Sequence, residues 1–277
     1  GYIWIFLDFW SDILEKYMRK PCSDPMSGVP NCRQLFILYA NSRVPQMAQP
    51  YYITTPIYYV NDRPHIGHAY TTLACDVLAR FKRLDGFDVT FLTGTDEHGQ
   101  KVEKAASDKG VSPQSFTDQV SQNFRDLTAQ MNFSNDDFIR TTESRHRLAC
   151  QEIWKRLRER NHIRLGNYAG WYSVRDEAFF TKTEVVDGKA PTGAPVEWVE
   201  EPSYFFNLSH WQKPLLDFYE ANPDFVGPES RFNEVKSFVQ GGLRDLSVSR
   251  ASFKWGIPVP NDPDHVMYVW LDALTNY

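Results

Sequence analysis

Apolar residues change their spacing several times along this chain. Residues 51–60, YYITTPIYYV, are almost all β-branched or aromatic, the pattern of a buried strand. Residues 69–84 switch to helical spacing. Leu73, Val77, Leu78 and Phe81 fall on one face, and Gly86 stands just past the end as a stop. FDVTFLTG, residues 87–94, returns to a strand. Strand, crossover helix and strand of these lengths form a βαβ unit, which predicts an α/β fold with a parallel, Rossmann-like sheet and a right-handed crossover. Ligands of such sheets bind beyond the carboxyl ends of the strands. Residues 55–68 and 93–99 fall at those ends.

The remainder reads as follows. Residues 100–160 are helical in pattern, with Ser112-Pro113 opening one helix and 141–161 forming another whose basic residues gather near its C-terminus. From 162 to about 230, short aromatic stretches separated by Gly and Pro predict a small β-rich inserted module. Residues 231–246 return to helix, 247–260 are loop-rich, and HVMYVWLDAL (265–274) reads as a buried strand leading into a helix. At the start, Phe6, Trp10, Ile13, Leu14 and Tyr17 follow helical spacing, and 20–50 carry the turn formers of a linker. The opening GYIWIFLDFW is interrupted by Asp8 and soon by Asp12 and Glu15. It is too short for a membrane span and lacks the basic lead-in of a signal peptide. Met47 directly precedes the first strong strand, so a second reading is that residues 1–46 are not native to the working domain.

Composition narrows this picture a little. The chain has 277 residues and a formal charge of -5, which speaks against a broad nucleic-acid surface without excluding a local basic patch. Cys22, Cys32, Cys75 and Cys150 are scattered with no CxxC pair, so reduced thiols are expected rather than disulfides or a zinc knuckle.

Two short stretches can carry chemistry. His65-Ile66-Gly67-His68 stands at a helix start, where free N–H groups and the helix dipole favour a phosphate and glycine admits a flat ring close to the backbone. Two ordinary histidines near a turn would look the same. GTDEHG (94–99) follows a strand directly. Asp96 there is either an ammonium ligand or the N-cap of the next helix.

TTPIYYVNDRPHIGHAYTT, FLTGTDEHGQKV, DDFIRTTESRH, GWYSVRDEAFF, DLSVSR, WGIPVP and YVWLDALTNY occur in this order. Together they resemble the methionyl-tRNA synthetases, class I aminoacyl-tRNA synthetases, almost continuously over 51–277. The HxGH pattern alone also fits nucleotidylyltransferases. The resemblance implies a methionine–tRNA ligase that activates methionine with ATP and transfers it to tRNA(Met). It implies that His65 and His68 grip ATP phosphates, with Gly67 near the adenine and Thr55 and Asn61 on the same floor. It also implies a methionine pocket of Ile57, Tyr59, Asp96, Trp270, Ala273, Leu274 and Tyr277, with Asp96 taking the ammonium. Arg250 matches a family arginine near the active site, and Mg²⁺ would accompany ATP. A thioether is recognised by size, dispersion and contact with aromatic rings, and Tyr59, Trp270 and Tyr277 are the residue types for that.

The sequence departs from the family twice. Many members carry zinc knuckles in the inserted module, but Ser173 and Asp176 stand where cysteines would, so no structural zinc and no metal ligands are expected. No KMSKS-like run occurs, and the anticodon-binding domain should lie beyond Tyr277. The expected division is an extension at 1–49, half of a catalytic domain at 50–160, a zinc-free connective module at 161–245 and a truncated return at 246–277. Such a piece is expected to be impaired alone, to lack tight tRNA binding, and to expose a sheet edge. The rival readings are an HxGH nucleotidylyltransferase and a non-catalytic fragment. The expected compartment is the cytoplasm, or else a mitochondrial or plastid matrix, with no membrane partner.

Overall fold

The structure is a computed structural model that describes residues 48–277 apart from 176, 177, 181 and 183. The amphipathic helix expected at the start, and Asp176, lie outside the described residues.

Among the described residues the first sheet is parallel throughout. β1 (Pro50–Thr54) and β2 (Tyr58–Tyr59) lie in line along one edge of β3 (Asp88–Asp96), and β4 (Asp137–Arg140) pairs along its other edge. The run expected as a single strand over 51–60 is therefore two strands. Pro56 has no N–H for the ladder and breaks it. Thr55 still donates to Leu92 O at 3.1 Å, and Val60 donates to Asp96 O at 3.2 Å, so β3 holds both sides of the break. The Ile57 N–H, left without a strand partner, donates to Tyr277 Oη at 2.8 Å.

α1 (Ile66–Leu84) crosses between β2 and β3, starting three residues earlier than its apolar spacing indicates. Its expected core face is not its core face. Leu73, Val77, Leu78 and Phe81 are exposed, and Thr72, Asp76 and Ala79 are buried. Small and hydrogen-bonded side chains make this contact. Thr72 Oγ1 meets Tyr58 Oη at 2.7 Å, and Asp76 accepts from Ser134 N at 2.6 Å and from Arg80 Nε at 2.7 Å. Each buried polar group is thus paired, which removes most of its desolvation cost.

α2 (Gln100–Asp108) and α3 (Pro113–Gln130) pack on the sheet through Val102, Phe116, Val120 and Phe124. Ser112 caps α3, its Oγ accepting from Ser115 N at 3.1 Å, with Pro113 at the first helical position as expected. β4 interrupts the region expected to be helical. Its neighbours Phe138 and Ile139 are both buried, and four residues are too few for a period to show. α4 (Ser144–Glu159) follows.

The β-rich module is present, and it also holds helices. β5 (Ile163–Ser173) and β7 (Glu197–Phe206) form a long antiparallel pair, flanked by β6 (Ala178–Phe180) and β8 (Leu246–Ser247). α5 (Gln212–Ala221) lies in the stretch expected to be strands and turns. Its Pro214 sits in the first helical turn, where proline is tolerated. α6 (Glu229–Gln240) completes the module. Cys150, Trp154 and Leu157 of α4 share one core with Tyr204, Phe206, Leu215, Tyr219 and Val239 of the module. The return forms a small sheet of β9 (Ser249–Arg250), β10 (Pro258–Val259) and β11 (Asp262–Met267). α7 (Val269–Asp272) and a 3-10 turn (Ala273–Asn276) end it. The strand expected within 265–274 ends at Met267 and leads into a helix, and Trp270 sits on that short helix. No described helix is long and apolar enough to cross a membrane.

Candidate active site

The loops carrying both sequence motifs leave neighbouring strand ends, since Tyr59 of β2 pairs in register with Asp96 of β3. At the end of the first loop, His65 is the N-cap of α1. Its Nδ1 accepts from Gly67 N at 3.1 Å, and His68 Nδ1 accepts from His65 N at 3.0 Å. This is a reciprocal capping arrangement built from two imidazoles. With both Nδ1 atoms used as acceptors, the neutral rings carry their protons on Nε2. The rings lie 3.9 Å apart, and His68 is braced edge-on by Tyr58 and Phe124. Burial and the neighbouring His65 push the His68 pKa below the ordinary imidazole value, which keeps the cap in its accepting form. Gly67 belongs to the same device. A Cβ there would stand 2.9 Å from His65 Cε1. The N–H groups of His65, Gly67, His68 and Ala69 are used within this turn, so an anion here would meet the imidazole Nε2–H groups rather than free backbone donors.

Thr55 is fully buried, and its Oγ1 meets Thr93 Oγ1 at 2.7 Å, so it joins strands rather than lying open on a floor. Asn61 is exposed in the loop before the helix.

The second loop is pinned residue by residue. Glu97 has no solvent exposure. It accepts from Arg140 Nε at 2.7 Å and Nη2 at 2.9 Å, from Thr95 Oγ1 at 2.7 Å and from Thr142 Oγ1 at 2.5 Å. Trp255 Nε1 donates to Glu97 O at 2.6 Å, and Gly99 N donates to Trp255 O at 3.0 Å. Gly99 itself caps α2 with φ +113°, a conformation that favours glycine. Asp96 therefore is not the helix cap.

Asp96 lines a cavity of about 470 Å³ together with Tyr59, His98, Tyr172, Tyr268, Trp270 and Asp272. Of the seven residues expected in one pocket, Tyr59, Asp96 and Trp270 line this cavity. Ile57, Ala273 and Tyr277 pack with Ile139 in a separate apolar cluster, and Leu274 is buried. Burial pushes the Tyr277 phenol up to about 12, so it stays a neutral hydrogen-bonding group. Arg250 is buried one layer back. Its guanidinium lies 3.6 Å from the centre of the Tyr268 ring, and its Nη1 donates to Ser247 Oγ at 2.5 Å and Ser249 O at 2.7 Å.

Asp272 and His98 are the cavity residues that motif spacing missed as a pair. His98 Nδ1 lies 2.6 Å from Asp272 Oδ2. Burial, the largest single influence, pulls the His98 pKa down, but the charge and hydrogen bond of Asp272 together with the nearby Asp96 and Glu97 charges outweigh it and raise it. Burial likewise would raise the Asp272 carboxyl, but His98 and the two imidazole contacts hold it below the ordinary carboxylate value. A lone acid inside the apolar run YVWLDAL was the available signal, because a charge is buried only with partners. Behind it, His146, Cys150 and Asp272 bring three possible metal-ligand atoms within 4.8 Å of one another. Burial pushes the Cys150 thiol up, away from the thiolate that binds metals.

The chain is 68% identical over 232 residues to the methionine–tRNA ligase of Rickettsia conorii and 58% identical over 234 residues to that of Mesorhizobium japonicum. Each match takes in 83% of this chain but 46% and 45% of the relative, so the chain spans about half the length of the curated relatives it matches. A structure of Mycobacterium tuberculosis methionyl-tRNA synthetase in complex with methionyl-adenylate superposes with a TM-score of 0.78 at 56% identity, covering 83% of this chain and 46% of that one. The free-state structure of the same enzyme gives 0.68 at 51% identity, with coverage of 83% and 45%. The family model described as tRNA synthetases class I (M) matches residues 51–197 and 192–277. On that match the chain belongs to the class I (M) tRNA synthetases.

Proposed function

We propose that this chain is the amino-acid-binding part of a methionine–tRNA ligase, and that the longer protein couples methionine to tRNA(Met) at the expense of ATP. The observation that carries this is the placing of Asp96, Tyr59 and Trp270 on one cavity, beside a helix start that presents two histidines. Asp96 takes the methionine ammonium by a charge-assisted hydrogen bond. Tyr59 and Trp270 surround the thioether, and Ile57, Ala273, Leu274 and Tyr277 form the apolar backing. His65 and His68 donate from Nε2 to the phosphates of MgATP, the substrate, with Gly67 admitting the adenine and Thr55 and Asn61 supporting that floor. Arg250 holds Tyr268 against the cavity.

The methionine carboxylate then attacks the α-phosphate in line and pyrophosphate leaves, giving methionyl-adenylate; a ribose hydroxyl of the tRNA terminus attacks its acyl carbon, the acyl–phosphate bond breaks and AMP leaves. These residues contribute position and charge stabilisation rather than a covalent step. We assign 50–160 to the first half of the catalytic domain, 161–245 to a zinc-free connective module and 246–277 to the return. The exposed apolar face of α1 and the outer edge of β1 are where further sheet from the longer protein would pack. The KMSKS loop and the tRNA-binding domain would lie in that remainder. The protein works where translation does, in the cytoplasm or an organelle matrix.

A screen of ATP–pyrophosphate exchange with each amino acid tests this in the longer protein. Exchange with methionine alone is expected. Exchange that ignores amino acids and follows another acceptor would make the protein a nucleotidylyltransferase instead.

A further inference from the structure

A chain of buried polar groups runs from the cavity into the core. Asp272 holds two imidazoles at once, His98 Nδ1 at 2.6 Å on Oδ2 and His146 Nε2 at 2.9 Å on Oδ1. Cys150 Sγ lies 3.3 Å from the same His146 nitrogen. Side-chain exposure is 8% for His98, 3% for Asp272 and 2% for His146. His98 and Asp272 line the cavity, and His146 does not.

The three residues come from separate pieces of chain. His98 stands two residues beyond Asp96, in the loop that Glu97, Arg140 and Trp255 immobilise. Asp272 ends the short helix that carries Trp270, and its own N–H donates to Tyr268 O at 3.0 Å. His146 lies in the first turn of α4, whose later residues Cys150, Trp154 and Leu157 are in the largest core. A carboxylate out of water is fixed wherever its donors are, because leaving it unpaired costs more than moving the backbone slightly.

We propose that His146 and Asp272 are positioning residues of the methionine pocket: acting with His98, they set the distance between the Trp270 helix and the Asp96 loop. This rests on the pocket reading given above and deepens it. Selection for methionine then depends on a residue that does not face the cavity.

The test uses the full chain with wild type, His146→Leu and His146→Gln. The glutamine amide reaches about where Nε2 stands and can still donate to Asp272; leucine cannot. Two quantities are read: the indole N–H resonance of Trp270 in the unliganded chain, and the dissociation constant for methionine. His146→Leu is expected to shift the Trp270 resonance and weaken methionine about tenfold, the scale of one lost hydrogen bond to a charged group. His146→Gln is expected to restore both. A folded leucine variant with an unmoved Trp270 resonance overturns the proposal, and so does a glutamine variant that fails to restore it. If His146→Leu does not fold, His146→Asn, whose amide stops short of Asp272, carries the same expectations. If wild type does not bind methionine while the Trp270 resonance still follows the hydrogen bond, the positioning link stands and the pocket's ligand is wrong.

Discussion

Replacing Arg140 by methionine would strip Glu97 of its counter-charge while keeping most of the side-chain volume. Glu97 is fully buried, and the Arg140 side chain is 18% exposed. Removing one partner of a buried pair costs about 3–5 kcal/mol, because the survivor stays desolvated. The hydroxyl bonds from Thr95 and Thr142 remain and place the loss near the lower end, about 3 kcal/mol. The second Arg140 contact, to Asp118, adds less than about 1 kcal/mol, since Asp118 is half exposed. For a chain of this size about 3 kcal/mol corresponds to a melting temperature roughly 6–12 °C lower. Urea denaturation of wild type, Arg140→Met, Glu97→Gln and the double variant would measure it as a cycle. The double variant should be more stable than Arg140→Met alone, because a neutral amide is cheaper to leave in place than a carboxylate. A loss under about 1 kcal/mol for Arg140→Met, or a double variant as unstable as the two singles summed, would refute the reasoning.

Gly67→Ala sets two effects against each other. Alanine gains roughly 0.5–1 kcal/mol of helix stability over glycine, while displacing the His65 ring costs about 1 kcal/mol of capping. Stability should therefore hardly change while affinity for an ATP analogue falls severalfold; unchanged nucleotide affinity would contradict the cap. The His68 contribution to stability follows pH. Its folded pKa is depressed, so the unfolded chain takes up the proton first, and the contribution is complete above 6.5 and lost as pH falls through the folded value. The urea midpoint of wild type relative to His68→Gln should drop below pH 6.5, and a flat difference would remove the capping role. Zinc in the purified chain should be far below one per molecule. If one ion is found and Cys150→Ser abolishes it, the site is the buried cluster at His146 and not the module.

Much of the βαβ unit was legible because strand and helix periods differ so clearly on either side of the His65 loop. The break at Pro56 was also written in the residues, but the apolar run around it hid it. α1 misled in a specific way. Its large apolar residues announced a core face, yet the sheet accepts Thr72, Asp76 and Ala79, since polar residues paired to Tyr58, Ser134 and Arg80 cost little to bury. Periodicity reports which face is apolar, and cannot say what will cover it. The resemblance put Asp96 and Trp270 in one pocket, and both line the same cavity. Nothing local pointed to His146, whose link to Asp272 spans 126 positions, because such a contact exists only once α4 and the return segment are packed.

The most direct measurement is calorimetric titration of methionine into the chain, beside Asp96→Ala and Trp270→Ala. Saturable binding by wild type, weakened by about tenfold or more in each variant, is the expected result. Wild-type binding that survives both substitutions, or no binding by a folded wild-type chain, would contradict the assignment of this cavity to methionine.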